Sequence, residues 1–293
     1  MIVTTEIPDD IAQAIGSGTG REALSKQFNF SEMEARYYLR LFSEHRTPIK
    51  HPIAVVLADI HCPYQTKDVL SLTIEYCKTL NPKTVVVNGD LVDFYKVSYW
   101  RNDPQRMRFP DEIVECRKMV ERISKAFPNA RKILLEGNHE MRLMNYLWSN
   151  APELYGLDSL TIPELLHLNR WGWEYIVNRD KLNQIKPSFK IGNIHILHGH
   201  EVRVGSGAVN LARLYYQKTL VNVLVAHHHQ TQEYLVKKLD HSNEGGWVMG
   251  CLCPLSAEYM AVTNWNHGFT VLYYDDDGDV AVRHRKIING KIL

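Results

Sequence analysis

The chain lacks an excess of charge of either sign: 34 basic residues face 33 acidic ones, a formal net charge of +1 over 293 residues. That balance excludes a global electrostatic pull toward nucleic acid or an anionic membrane, so any basic surface has to be local. Cysteine is scarce. The five present, Cys62, Cys77, Cys116, Cys251 and Cys253, are odd in number and irregularly spaced, with no signal peptide ahead of them. A disulfide framework is therefore not expected, and a reducing cytoplasm suits the chain best. Cys251 and Cys253 have no second pair at zinc-finger spacing, so they read as a buried strand end and not as a metal knuckle. No apolar run reaches the roughly 18 residues of a membrane span, which predicts a soluble protein without membrane contact. Internal repeats and low-complexity segments are missing too.

What is there is an ordinary globular composition, 45% hydrophobic and 23% charged, with room for one large domain and a small appendage. Residues 1–48 read as the appendage. Within it, Leu24, Phe28, Met33, Tyr37, Tyr38 and Leu41 recur at mostly helical spacings, and Ser31 is placed to cap a helix ahead of Glu34. Two short helices with a turn at Asn29 are expected, an outline that resembles a helix-turn-helix. The first 50 residues carry six Lys/Arg against seven Asp/Glu, poor equipment for phosphate contacts. A packing arm, through which the chain would form a homo-oligomer, is therefore favoured over a DNA reader. Thr47, Pro48 and Pro52 mark a linker to the main domain, residues 49–293.

From His51 onward the pattern changes to apolar, β-branched runs: Ile53 to Ala58, Thr84 to Val87, Lys132 to Leu135, Ile194 to Leu197 and Val221 to Val225. Such runs belong to strands buried on both faces. Helical segments lie between them, Asp68 to Leu80, Asp111 to Phe127 behind Pro110, and Ala208 to Leu220, so the expected class is α/β. After residue 245, Phe269 to Tyr274, Val280 to Arg285 and the turn at Asn289-Gly290 read as hairpins of an antiparallel sheet.

Each of the five buried runs ends in polar residues: Asp59-Ile60-His61, Gly89-Asp90-Leu91-Val92-Asp93, Gly137-Asn138-His139-Glu140, His198-Gly199-His200 and His227-His228-His229. The carboxyl ends of strands in α/β sheets form the ligand crevice, which would bring these groups together. Imidazole mixed with carboxylate suits Mn, Fe, Zn or Ni. Asp59, His61, Asp90, Asn138, His198, His227 and His229 make seven candidate ligands, too many for one tetrahedral ion and suited to two divalent ions sharing a carboxylate.

The order Asp-x-His, Gly-Asp-x-x-Asp, Gly-Asn-His-Glu, His-Gly and x-His-x-His resembles the calcineurin-like metallophosphoesterase superfamily over roughly residues 53–230. The resemblance implies a four-layer sandwich, two facing mixed β-sheets flanked by helices, preceded here by the small helical segment. It also implies that Asp59, His61 and His229 hold one ion, that Asn138, His198 and His227 hold the other, and that Asp90 bridges them. Mn2+ is the foremost occupant, with Fe, Zn, Ni or Mg as alternatives. Water activated between the ions would attack a phosphoester, His139 would protonate the leaving group, and Asp93 would hydrogen-bond that imidazole and raise its pKa. The segments Met249 to Cys253 and Asn264 to Phe269 are similar to those of phage and prophage members, so a phage-encoded protein in a host cytoplasm is expected. Three positions depart from other branches. Ala226 stands where the last motif usually has Gly; Glu136 stands where serine/threonine protein phosphatases have Arg, which argues against a phosphoprotein substrate; and Asp93 stands where purple acid phosphatases have a metal-binding Tyr.

Other polar residues read as structural. His195 and His228 alternate with ligands and are expected to point away, and Glu140 reads as a first-turn helix residue facing the macrodipole. Asn138 has a competing reading as a helix cap. His200, Arg142 and Arg101 are candidate substrate contacts. Residues 100–109 mix Arg101, Arg106 and Arg108 with Trp100 and Phe109, which suits either a nucleotide or single strand or a solvated loop whose aromatics anchor it to the core, and Gly205-Ser206-Gly207 either starts a helix or lets backbone approach a phosphate. The leading expectation is hydrolysis of phosphomono- or diesters of nucleotides or nucleic acid. The alternatives are a DNA nuclease resembling the recombination-repair branch and a non-catalytic scaffold of the same fold.

Overall fold

A computed structural model describes residues 7–45, 52–100, 102–178, 188–205, 209–239, 242–256, 262–275 and 278–293. The chain divides into two compact units, Met1–His51 and Pro52–Leu293.

The first unit contains α1 (Asp9–Gly16), α2 (Arg21–Phe28) and α3 (Glu32–His45). Its small core is Ile11, Ala14, Ile15, Leu24 and Ala35, with Ile7, Phe28, Phe30, Tyr38 and Leu39 packed against it. Of these helices the periodicity of Leu24 to Leu41 anticipates α2 and α3. It does not reach α1, which is built around only two apolar pairs, Ile11-Ala12 and Ala14-Ile15.

The second unit runs β1 (Ile53–Leu57), α4 (Lys67–Thr79), β2 (Thr84–Asn88), α5 (Phe109–Ala126), β3 (Arg131–Leu135), α6 (Glu140–Asn150), α7 (Ile162–Leu165) and β4 (Trp173–Ile176). It continues with β5 (Phe189–Ile191), β6 (Ile194–Ile196), α8 (Leu211–Thr219), β7 (Val223–Val225), β8 (Gln232–Lys237) and β9 (Asn243–Val248). β10 (His267–Tyr274), β11 (Val280–Ile288) and β12 (Lys291–Ile292) complete it. Among the described residues the strands form two sheets, ordered β12-β11-β10-β1-β2-β3-β4 and β5-β6-β7-β9-β8.

The five apolar runs are thus shared between two sheets and do not lie in one. β1, β2 and β3 pair in parallel in the larger sheet, and β6 pairs in parallel with β7 in the smaller. The C-terminal hairpin strands do not make a sheet of their own; β10 pairs antiparallel with β1, joining Val55 to Val271, and covers an edge that would otherwise expose unpaired backbone.

Side-chain alternation then builds four layers. Ala54, Val56, Val86, Ile133, Leu135 and Leu272 face Ile194, Ile196, Leu224 and Trp247 between the sheets. On the outer face of the larger sheet, Val55, Leu57, Val85 and Val87 pack on Leu70 and Ile74 of α4 and on Cys116, Val120 and Ile123 of α5. On the outer face of the smaller sheet, Val223, Val225 and Val248 pack on Leu211, Ala212 and Tyr215 of α8. The fold is an α/β sandwich of two mixed sheets flanked by helices, and every run that ends in a motif ends at the same rim.

Ile133 is fully buried in the layer between the sheets. Ile133→Ala is expected to destabilise the chain by about 2–5 kcal/mol in urea denaturation. A loss well under that range would mean the two sheets are not closely packed there.

Candidate metal centre

The loops after the five strands are tied to one another by their own backbones. Ile60 and His61 N–H both donate to the Asp90 carbonyl at 2.9 Å, and Asp59 N–H donates to the Gly89 carbonyl at 3.3 Å. Asn88 at the end of β2 reaches the other sheet: its Nδ2 donates to the Leu197 carbonyl at 2.8 Å, and its own carbonyl accepts from His198 Nδ1 at 2.7 Å. His227 N–H donates to Asp59 Oδ2 at 3.2 Å, and Asn266 N–H donates to the His229 carbonyl at 2.8 Å.

Glu140 does more than sit near a helix end. Its carboxylate is 1% exposed and accepts N–H groups from two loops: Asp90 at 2.9 Å, Leu91 at 2.8 Å, Val92 at 3.3 Å and Gly137 at 2.8 Å. Asp90 answers by accepting His139 N–H on Oδ1 at 2.9 Å. Burial pushes Glu140 up to about 7, while the N–H groups of Asp90 and Gly137 favour its charged form. Neither Gly89 nor Gly137 has room for a Cβ, which would strike the His198 ring in the first case and the Asp90 carboxylate in the second. The Gly-Asp and Gly-Asn steps are therefore demanded by how closely these loops approach.

The interlock brings all seven candidate ligands into one cluster, five of them buried and Asn138 and His227 half-buried. Asp90 Oδ2 lies 3.2 Å from His198 Nε2 and 3.8 Å from His61 Nε2. Asn138 Oδ1 is 3.1 Å from His198 Nε2, and His229 Nε2 is 3.3 Å from Asp59 Oδ1. His227 offers a ring nitrogen within 4.8 Å of an Asp90 carboxylate oxygen and a His198 ring nitrogen. Asn138 does not cap the following helix: His139 holds the N-cap position of α6, with no side-chain cap bond.

Left-handed backbone is dense at the site, which holds five of the eleven non-glycine residues with positive φ among the described residues. Asp59, His61, Asp90, His227 and His229 all have left-handed φ between 49° and 65°. Such residues are uncommon without glycine and cost of order 1–3 kcal/mol each, so the surrounding bonds must hold them.

The donor set fits divalent cations. Among the described residues neither Asp59 Oδ1 nor His61 Nε2, both buried, has a hydrogen-bond partner. The imidazoles are oriented from behind: His198 Nδ1 donates to the Asn88 carbonyl, His61 Nδ1 faces Asp93 Oδ2 at 3.3 Å, and His229 Nδ1 faces Cys253 Sγ at 3.7 Å, so each Nε2 points inward. Burial would raise the two carboxyls, yet His139, His198 and His61 hold Asp90 well below its usual range, and His229 and His198 hold Asp59 below it. Against the same burial, Asp90 and Asp59 pull His198 up to about 10, and Asp59 pulls His229 up to about 10. The cluster attracts positive charge at its centre.

His139 and Asp93 meet, though not through the expected contact. His139 Nδ1 donates to the Asp93 backbone carbonyl at 2.8 Å, whereas the Asp93 carboxylate is 3.8 Å from that nitrogen and nearer to His61. Arg142 donates to the Asp93 carbonyl at 2.8 Å, to its Oδ1 at 3.2 Å and to His139 Nε2 at 3.0 Å. Burial pushes His139 down to about 3, with Asp90 and Asp93 opposing and His61 and Arg142 reinforcing. The pKa-raising role expected of Asp93 is thus outweighed by desolvation.

Of the remaining candidates, His200 lies 3.6 Å from Glu201 Oε2 with its ring 5.4 Å from that of His198. Arg101 falls outside the described residues, as do Ser206 and Gly207 of the glycine-rich stretch. His228 turns away to Tyr215, whose hydroxyl is 2.8 Å from Nε2, and His195 contacts Ser188 Oγ at 2.5 Å. Four neighbours support the cluster in ways the ligand pattern does not assign. Glu140 reads from sequence only as a helix-end charge, and Glu201 accepts Gly199 N–H at 2.6 Å and His198 N–H at 3.3 Å. Cys253 stands behind His229, and the Trp265 ring lies 4.2 Å from the His229 ring. Glu140 and Glu201 each stand two residues past a candidate ligand or its neighbour glycine, a spacing that lets a carboxylate reach back to loop N–H groups.

Glu140→Gln would place an amide donor against N–H groups that need an acceptor. A loss of about 1–3 kcal/mol is expected in chemical denaturation, together with weaker metal uptake by elemental analysis. An unchanged midpoint would show that these bonds do not hold the loops.

The chain is similar to several known proteins. The family model for calcineurin-like phosphoesterases matches residues 54–255. The Gene 54 protein of Mycobacterium phage L5 is 26% identical over 235 residues, covering 75% of this chain and 88% of the relative. Among solved structures, Vacuolar Protein Sorting 29 from Cryptosporidium parvum aligns with a TM-score of 0.44 at 14% identity, over 83% of this chain and 95% of that one. The nuclease MPE of Pseudomonas putida aligns with a TM-score of 0.34 at 12% identity, over 78% and 87%. No helix among the described residues is long and apolar enough to cross a membrane. With the family match running from β1 past the last histidine motif, over more than half of its length, the chain belongs to the calcineurin-like phosphoesterases.

Proposed function

We propose that the chain is a dinuclear metal-dependent phosphoesterase that hydrolyses mono- or diesters of nucleotides or nucleic acid in the cytoplasm. The observation that carries this reading is the position of Asp90, whose Oδ2 is within 3.2 Å of His198 Nε2 and 3.8 Å of His61 Nε2, so that one carboxylate reaches both halves of the donor set. In this reading Asp59, His61 and His229 hold one cation, Asn138, His198 and His227 hold the other, and Asp90 is shared. Mixed imidazole and carboxylate suit Mn2+ foremost, with Fe, Zn, Ni or Mg as alternatives. When bound, such cations lower the pKa of water and neutralise charge on phosphoryl oxygens.

The chain's own residues then handle orientation and the proton. Asp93 steadies two rings, His61 through its carboxylate and His139 through its carbonyl. Because a carbonyl only accepts, His139 keeps its proton on Nδ1 and directs Nε2 away, toward Arg142. A phosphate anion is a stronger acceptor for a guanidinium than a neutral imidazole is. An incoming ester therefore draws Arg142 onto itself and frees Nε2 of His139; beside the anionic ester that nitrogen takes up a proton from solvent, and the imidazolium so formed gives it to the leaving oxygen as general acid. His200, beside His198, is placed to contact the ester.

A nucleotide or nucleic-acid ester is favoured by the connection that follows Asp93. Tyr99 is 97% exposed and Trp100 74% exposed, with their rings 6.0 Å apart. Arg106 stacks over the rings of Tyr64 at 4.9 Å and Tyr95 at 5.5 Å. Exposed aromatics beside cations are the ordinary means of holding bases and backbone without reading sequence.

Hydrolysis of p-nitrophenyl phosphate, bis-p-nitrophenyl phosphate and labelled single- and double-stranded DNA is expected with Mn2+ and is expected to vanish with chelator. No turnover of any of these esters would leave a non-catalytic scaffold and overturn the proposal. His139→Asn is expected to retain its metal but lose about 10²-fold or more in kcat on alkyl esters, with a smaller loss on nitrophenyl esters, whose leaving group needs no proton. Asp90→Asn is expected to lower bound metal per chain, and equal metal content would refute the shared carboxylate.

A further inference from the structure

Two segments that stand out in the sequence, Met249 to Cys253 and Asn264 to Phe269, carry none of the seven candidate ligands. The fold lays them side by side, the first leaving β9 and the second entering β10. They join through a parallel bridge between Cys251 and His267. Cys251 N–H donates to the Asn266 carbonyl at 3.0 Å, and Gly268 N–H donates to the Cys251 carbonyl at 3.2 Å. His267 Nε2 lies 2.9 Å from the Cys253 carbonyl, which closes the far end of the clasp.

The clasp meets the cluster at two ligands, and both belong to the same cation of the proposed pair. Leu252 N–H donates to the Asp59 carbonyl at 3.2 Å, and Asn266 N–H donates to the His229 carbonyl at 2.8 Å. Asp59 and His229 are left-handed, with φ of 49° and 58°, and need such holding. Asn266 Oδ1 also accepts Thr231 N–H at 3.1 Å and the Thr231 hydroxyl at 2.6 Å, fixing the chain just past His229. The buried Cys253 then sets its Sγ 3.7 Å from His229 Nδ1. That sulfur lies on the Nδ1 side of the ring, while Nε2 faces Asp59 Oδ1 at 3.3 Å, so it backs the ligand and does not replace it.

An imidazole that ligates through Nε2 carries its proton on Nδ1, so His229 donates to sulfur. His61 and His198 have oxygen behind them instead, the Asp93 carboxylate and the Asn88 carbonyl, and neither Asp93 nor Asn88 belongs to the clasp. A thiol is the weakest acceptor of the three.

We propose that Cys253 and Asn266 are positioning residues for His229, and that they set the affinity of the cation site of Asp59, His61 and His229 separately from that of Asn138, His198 and His227. This rests on the dinuclear reading and adds to it that different parts of the chain tune the two sites.

The test is calorimetric titration of the metal-free, full-length chain with Mn2+, with bound metal counted by elemental analysis. The unaltered chain is expected to take up two ions. Cys253→Ala and Asn266→Ala are each expected to weaken one binding step by about 10–100-fold and to leave the other as it was. Cys253→Ser keeps a hydrogen-bonding group behind Nδ1 and is expected to bind both ions nearly as the unaltered chain does. Two ions held by Cys253→Ala and by Asn266→Ala with unchanged affinity overturn this inference alone. Equal weakening of both steps, or a Cys253→Ser as weak as Cys253→Ala, overturns it in favour of packing. Fewer than two ions on the unaltered chain overturn the dinuclear reading and this inference together. Cys253 Sγ also falls within 4.8 Å of a His61 ring nitrogen. A sulfur-to-metal charge-transfer band in the Co2+-loaded chain that Cys253→Ala abolishes would therefore make Cys253 a ligand and overturn its positioning role.

Discussion

Glu140 is a carboxylate sealed from water that takes hydrogen bonds from the ends of two neighbouring strands, and the candidate metal centre depends on that contact. Asp90, Leu91 and Val92 leave β2 in a bend that no regular strand or helix would satisfy, and their N–H groups converge on one side chain delivered by α6. The same oxygen that accepts Asp90 also accepts Gly137 from the end of β3. Asp90 is thereby pinned by its backbone while its carboxylate stays turned toward the imidazoles. Burying a charged group is unfavourable unless its hydrogen-bonding capacity is filled, and here the filling partners are the loops that must be held.

Much of this arrangement is legible in the sequence because parallel strands buried on both faces leave unbroken apolar runs, and the run must end where backbone turns out of the sheet. Asp59, Asp90, Asn138, His198 and His227 each mark such an end, which is why the cluster can be named before any coordinates are seen. Division of the runs between two sheets is not legible, since Val55 and Val223 look alike to any reading of periodicity. The partner of β1 is equally hidden: Val271 lies more than two hundred residues downstream and joins it only through pairing. Glu140, Glu201 and Cys253 escape for a different reason. They touch the loops and rings that touch the centre, and a place in or near a motif does not say which N–H groups or which ring a side chain supports.

His139 shows where local reasoning reaches its limit. Proximity of Asp93 in the motif suggests a carboxylate behind the imidazole, but the chain turns so that the carbonyl arrives first and the carboxylate goes to His61. Arg142, one turn further along α6, fills the other side. Sequence spacing locates the three residues in one place and says little about which oxygen meets which nitrogen.

The left-handed backbone of Asp59, His61, Asp90, His227 and His229 has an evolutionary corollary. A ligand held in the left-handed conformation carries a backbone cost that glycine or asparagine escapes, so exchanging it for either removes strain as it removes chemistry. Silencing such a centre is thereby eased at the backbone, whereas regaining it restores that cost at several positions at once. A sandwich of this kind, once relieved of its chemistry, is free to persist as a stable body with other uses.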